Sequence, residues 1–182
     1  MTIRIRPGNE PDGEAPSVLG AAVAGVLATY GMDVGARTIV APALGMKGPS
    51  NLGRWIGHML QGRFTHEDIT KAAPVAHEAA IAVVAHYTIG LTLGAGYALL
   101  LRVPQPRQST LPRAAAYGIA TTVFPWFWMF PARGQGVMGL RDGDLRVPAF
   151  ALCTHVVYGL GLGVASRLAD SRLAERCRSL LT

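Results

Sequence analysis

From Ala79 to Leu101 the chain carries no Asp, Glu, Lys or Arg, a run of 23 residues. At about 1.5 Å per helical residue such a run crosses a hydrocarbon core of about 30 Å, so it predicts a membrane-spanning helix. Within it His86, Gly90 and Gly94 follow one another at i, i+4 and i+8 and share one face. The pattern returns once. H-Y-T-I-G-L-T-L-G from His86 is answered by H-V-V-Y-G-L-G-L-G from His155. Two spans therefore each carry an imidazole, followed by small residues that admit a second backbone.

Composition agrees with a lipid-embedded chain. Only 15% of the 182 residues are charged, against about 25% in ordinary soluble domains, and the mean hydropathy is +0.29. The net charge of +6 does not point to nucleic acid, because the basic residues lie scattered in tails and connections without interleaved aromatics. They suit anionic lipid headgroups instead. Cys153 and Cys177 read as reduced thiols with no metal-motif spacing.

The expected fold class is all-α: an integral membrane four-helix bundle of two pseudo-repeated helical hairpins, with a short interfacial helix in the first loop. Its spans cover residues 17–41, 76–101, 114–131 and 147–166. Residues 1–16 form a polar N-terminal tail, and residues 167–182 a basic amphipathic tail on the lipid surface. Ser17 opens the first span and Pro42 ends it. Residues 51–61 give the interfacial helix, with Leu52, Trp55, Ile56, Met59 and Leu60 on its apolar side. Residues 102–113 are a proline-rich hinge. Pro125 frees the Thr121 carbonyl and kinks the third span, whose Trp126 and Trp128 suit a membrane interface. The repeat relates span two to span four, and G-V-L-A-T at Gly25 loosely to G-I-A-T at Gly118. Packing is expected through Gly31/Gly35, Gly90/Gly94 and Gly159/Gly163.

Four spans put both termini on one side. That side holds nine arginines against seven Lys and Arg on the other, which favours termini in the cytoplasm of a bacterial inner-membrane protein.

Counting along the helices sets Asp33, His86 and His155 at similar depths, about 12–15 Å from the side of the longer loops. An acid in hydrocarbon costs about 2.5–3.5 kcal/mol on insertion scales and needs a partner. Two arrangements are open. One is a divalent transition-metal site with Asp33, His86, His155 and His58 as ligands. The other is a metal-free network in which Asp33 pairs with Arg37, one helical turn on. Arg54, His58, Arg63, His66, His77 and Glu78 cluster at the loop face, and Glu78 lies on the His86 face of span two as a possible entrance.

The segment G-R-W-I-G-H-M-L-Q-G-R-F-T-H-E-D-I (53–69), then P-V-A-H-E (74–78), A-H-Y-T-I-G (85–90), A-T-Y-G-M-D ending at Asp33 and H-V-V-Y-G at His155, resembles an uncharacterised family. It comprises small bacterial four-helix membrane proteins classed as a domain of unknown function. The resemblance implies an integral inner-membrane protein and supplies no activity, ligand or site.

The functional expectation is an intramembrane polar site serving a transition metal, a proton or a small solute. The alternative is a structural or assembly subunit that binds a membrane-protein partner or a second copy of itself. A membrane enzyme stands behind both, since no nucleophile–base pair is evident.

Overall fold

A computed structural model describes residues 17–46, 51–101 and 110–179, with side chains as far as 168. The polar N-terminal tail, most of the proline-rich hinge and the side chains of the basic C-terminal segment lie outside the described residues.

Five helices and a few single turns make up the described chain, with no strand among the described residues. The first, α1 (Val18–Leu44), starts where Ser17 Oγ accepts the Gly20 amide at 3.0 Å, a side-chain cap on an orphan donor. It does not stop at Pro42. Between Ala36 and Val40 the helix widens by one residue, and the Ala41 amide reaches back five positions to the Ala36 carbonyl. That wider turn absorbs the proline, whose ring would collide with the carbonyl four residues back in a regular helix. The helix ends at Leu44, on Gly45 with φ 62°, a left-handed cap.

Next comes α2 (Leu52–Leu60), the expected interfacial helix. Its Trp55 and Gly57 face inward, while Leu60 is 79% exposed. The uncharged run forms α3 (Glu78–Leu101). The stretch expected as the third span is helical in pieces. α4 (Thr110–Thr121) breaks at Thr122, a wide turn runs from Pro125 to Met129, and one regular turn follows from Phe130 to Ala132. There the Phe130 amide bonds the Pro125 carbonyl, and Pro131 comes next. Both wide turns thus end one residue short of a proline, Pro42 and Pro131. The fifth helix, α5 (Arg146–Ser179), has no break at residue 166, so the C-terminal segment continues the helix axis instead of turning away from it.

Among the described residues three helices are long and apolar enough to cross a membrane: α1, α3 and the Arg146–Leu168 part of α5. Their outer faces carry Leu19, Val23, Leu27, Val83, Val84, Leu91, Leu99, Val164 and Leu168, all more than 40% exposed. So large an exposed apolar surface calls for lipid or protein around it.

α4 packs on α5, α5 on α1, α1 on α3, and α3 on α2. Where such helices are surrounded by lipid there is no hydrophobic drive between them, and close backbone approach and hydrogen bonds take its place. Two crossings supply that approach. A Cβ on Gly25 would stand 2.2 Å from the Gly90 carbonyl oxygen, and one on Gly94 would stand 2.2 Å from that of Ala21. In the second crossing a Cβ on Gly118 would be 2.2 Å from the His155 carbonyl oxygen, and one on Gly159 would be 2.2 Å from that of Ala114. A-x-x-x-G on α1 (Ala21, Gly25) and on α4 (Ala114, Gly118) therefore have the same role. Their partners, Gly94 and Gly159, differ by one helical turn from the alignment of the two histidine motifs. Gly31 takes no part, for a Cβ there would meet nothing within 4 Å; Gly35 touches only Val157.

Tyrosines fasten the centre. Tyr158 on α5 donates to the Gly90 carbonyl at 2.9 Å, and Tyr117 on α4 donates to that of Leu93 at 2.7 Å. Both bonds end on α3. Tyr97, Tyr158 and Leu162 are buried there among Ala24, Ala28 and Ala114.

Candidate functional site

Asp33 projects from α1 towards α3, where His86 meets it with Nδ1 3.3 Å from Oδ1. Both side chains are about a quarter exposed. Tyr87, the next residue, also reaches towards the Asp33 carboxylate. Asp33 therefore pairs across helices with His86, and among the described residues no ion pair joins it to Arg37. The reason is geometric. Arg37 lies in the widened turn and is exposed on the outer face, so the regular i, i+4 placement on which that pairing rested does not exist.

His155 on α5 turns its Nδ1 to the Ala151 carbonyl at 2.7 Å. A carbonyl can only accept, so Nδ1 carries the hydrogen and Nε2 holds the lone pair. His155 lies within electrostatic range of His86. Two of the three expected residues are in contact, and the third is nearby on the neighbouring helix.

His58 is elsewhere. It is 2% exposed on α2, with Nε2 on the Ala73 carbonyl at 3.0 Å and Nδ1 on His66 Nε2 at 2.6 Å. Both ring nitrogens are engaged, leaving neither to bind an ion in this arrangement. Among the described residues no three His, Cys, Asp or Glu side chains gather where they could hold a metal. Asp33, His86, His155 and His58 thus do not form one ligand set.

The loop-face cluster divides into two constructions. In the first, Arg54 Nε meets Glu78 Oε1 at 2.8 Å and Nη2 meets Oε2 at 3.3 Å, while the Val75 amide donates to Oε1 at 2.8 Å. Arg54 Nη1 also reaches the Ala72 carbonyl at 3.2 Å, and the Glu78 carboxylate holds the guanidinium above its ordinary range. This two-pronged pair ties α2 to the start of α3. Glu78, expected as an entrance to the interior, is committed to that tie.

The second construction is the His58–His66 couple, whose rings stack with centroids 4.8 Å apart. Burial pushes His66 below the usual imidazole range, helped by His58 and Arg63 and partly opposed by the Ala132 backbone. Residues 61–73 form a strap over this end. The Trp55 indole donates to the Phe64 carbonyl at 3.0 Å, and the His66 and Ile69 amides donate to the Ala132 and Arg133 carbonyls at 2.8 and 3.1 Å. Arg141 donates to the Glu67 carbonyl and, at 2.9 Å, to that of Gly134. Gly134, with φ 76°, lies so close to Glu67 that a Cβ would stand 2.0 Å from its carbonyl oxygen, so only glycine fits. Arg133 is 5% exposed, and burial pushes its guanidinium down to about 10. Trp55 meets Trp128 edge to face at 5.5 Å, which carries the strap's anchorage to the second wide turn.

The order G-R-W-I-G-H, strap, P-V-A-H-E, span is thus one folded unit at the head of α3, continuous with α1 and the segment that carries His155. A family model matches the chain over residues 22–169, which takes in all of it. The chain belongs to the DUF2938 family. Its members are described as proteins of unknown function. No curated protein and no solved structure matches the chain.

Sequence reasoning put His58 and His66 in one loop-face cluster but missed their direct contact, and it missed the tyrosine fasteners. An H-x7-H spacing that runs off the end of a helix has no periodic signal, and Tyr117 and Tyr158 differ from ordinary core aromatics only in where their hydroxyls end.

Proposed function

We propose that this DUF2938 chain is a multi-pass inner-membrane protein of four crossings, with α4 and the turns to Ala132 forming the third. Its Asp33–His86 pair, with His155 beside it, loads and unloads a proton, alone or coupled to a small solute. The observation that carries this reading is the 3.3 Å contact between a carboxylate and an imidazole on two span-length helices. From the loop-face ends of α1, α3 and α5, Asp33, His86 and His155 lie about 16, 12 and 14 Å along their helices. These are comparable depths in a core of about 30 Å.

The chemistry follows from charge. With one exchangeable proton the pair is neutral, as carboxylic acid with imidazole or as carboxylate with imidazolium. With none it carries one negative charge, which hydrocarbon penalises. The loaded form is thus the one that the surroundings favour, and His is the group that exchanges near neutral pH. Proton flux into liposomes that hold a pH-sensitive dye, driven by an imposed pH gradient, tests the reading. Asp33→Asn and His86→Gln proteins should lose the flux seen with the wild type. Equal flux in all three, or none above protein-free vesicles, would overturn it.

One observation favours the assembly reading. The apolar window of α3 is only 11% buried, against 39% for α1 and α5. A partner subunit or a second copy would cover that face, and cysteine cross-linking from Val84 and Leu91 in native membranes tests it. Reporter fusions at both ends test the cytoplasmic placement of the termini.

A further inference from the structure

We infer that the His58–His66 couple is an acid-operated fastener that releases the strap of residues 61–73 from the loop face. The inference stands apart from the intramembrane pair.

The hydrogen count decides how the fastener works. His58 Nε2 faces the Ala73 carbonyl, an acceptor only, so Nε2 carries the hydrogen. In neutral His58 the bare Nδ1 must then accept, and the hydrogen in the 2.6 Å contact belongs to His66 Nε2. Neutral His66 is left with a bare Nδ1, which is buried with no hydrogen-bond partner. The couple therefore has one defined tautomer on each ring. A first proton can settle on His66 Nδ1 and leave the contact intact. A second would put N–H against N–H across 2.6 Å and join two cations in a stack, which the couple cannot hold.

The surroundings make even one added charge unwelcome. The elements around the couple carry Arg54 on α2, Arg63 and Lys71 in the strap, and Arg133 and Arg141 in the facing loop. The acids are Glu67, Asp68 and Glu78, with Asp142 and Asp144 in the same facing loop; Glu78, Asp68 and Asp144 are already paired with Arg54, Lys71 and Arg146. His66 is held below the ordinary 6.5 while the strap is closed, chiefly by burial, then by His58 and Arg63. A released strap returns it to the ordinary value. The closed form is thus favoured fully above about pH 6.5 and loses that advantage as pH falls towards the depressed value.

All three tryptophans of the chain, Trp55, Trp126 and Trp128, lie in or beside this end. Trp55 bonds the strap directly through the Phe64 carbonyl. Intrinsic fluorescence of the full chain in detergent or nanodiscs, titrated from pH 8 to 4.5, therefore reads the fastener. The expected result is a reversible red shift with its midpoint below pH 6.5, absent in His66→Gln. Wild-type hydrogen exchange at pH 7.5 and 5.5, corrected for intrinsic rates, needs no variant. It should show at least a tenfold loss of protection in residues 64–73, with α3 unchanged. A constant spectrum, an unchanged midpoint in His66→Gln, or equal protection at the two pH values would overturn the inference.

Discussion

Gly25 on α1 and Gly94 on α3 lie backbone against backbone, with Gly94 Cα 2.9 Å from where a Cβ on Gly25 would be. No side chain stands between the helices there, and the Asp33–His86 contact lies two turns further along the same pair of helices.

Adding one methyl at this crossing should force the helices apart. Gly94→Ala is expected to destabilise the protein by about 1–3 kcal/mol, the usual range for overpacking, and Gly118→Ala should do the same at the second crossing. Gly31→Ala is the control. It meets nothing within 4 Å and exchanges a poor helix former for a good one, so it should be neutral or stabilising by up to about 1 kcal/mol. Thermal unfolding in one detergent separates the three.

Removing the Tyr158 hydroxyl leaves the Gly90 carbonyl its own helical bond and loses one cross-helix bond. Tyr158→Phe should cost about 0.5–1.5 kcal/mol, and Tyr117→Phe a similar amount through Leu93. Both bonds end on α3 within one turn, so the double variant should depart from additivity. Denaturant unfolding of the two singles and the double checks this.

If Asp33 and His86 interact as their geometry states, each truncation alone exposes the other to lipid or a dry interior. Asp33→Ala and His86→Ala should each destabilise by about 1–3 kcal/mol, below the ~3–5 of a fully buried pair because both groups are partly exposed. The double variant should recover part of the loss. Arg37→Ala, on the outer face, should show no coupling to Asp33 in the same cycle.

Acid should act on the strap in two separate windows. Hydrogen bonds from the Thr70 hydroxyl and amide hold the Asp68 carboxyl below its ordinary 3.8, with a smaller contribution from Lys71. The stabilisation it supplies is complete above that value and fades as pH falls below it. The histidine transition, which begins near pH 6.5, should therefore be finished before the wild type starts to lose its advantage over Asp68→Asn. Hydrogen exchange at the Thr70 amide, followed from pH 5 to 2.5, resolves the second step.

Much of this architecture is legible in the residues, because apolar length and helical spacing are local properties. The uncharged run before Leu101 had to be a long helix, and Leu52 to Leu60 had to be a short amphipathic one. Pro125 announced a break near Thr121. The likeness of Gly25 to Gly118, loose as letters, is a likeness of role. Depth counting also placed Asp33 level with His86. Rotation about a helix axis is less legible, since it depends on neighbours. It turned Gly31 and Arg37 outward and gave Asp33 to His86. Pro42 misled because a wider turn lets a helix pass over a proline. His58 misled because a loop eight residues on returned His66 to its side.

The wide turn of α1 holds one residue more than a regular helix, which changes the phase of everything beyond it. Up to Gly35 the residues keep step with α3 and α5, and Asp33 points into that contact. After Val40 the same helix is rotated by about a quarter of a turn. Deleting a single residue between 36 and 40 would take away the turn that lets the helix pass Pro42, so the helix would kink or end there and the first loop would depart on a different bearing, while the carboxylate keeps its own.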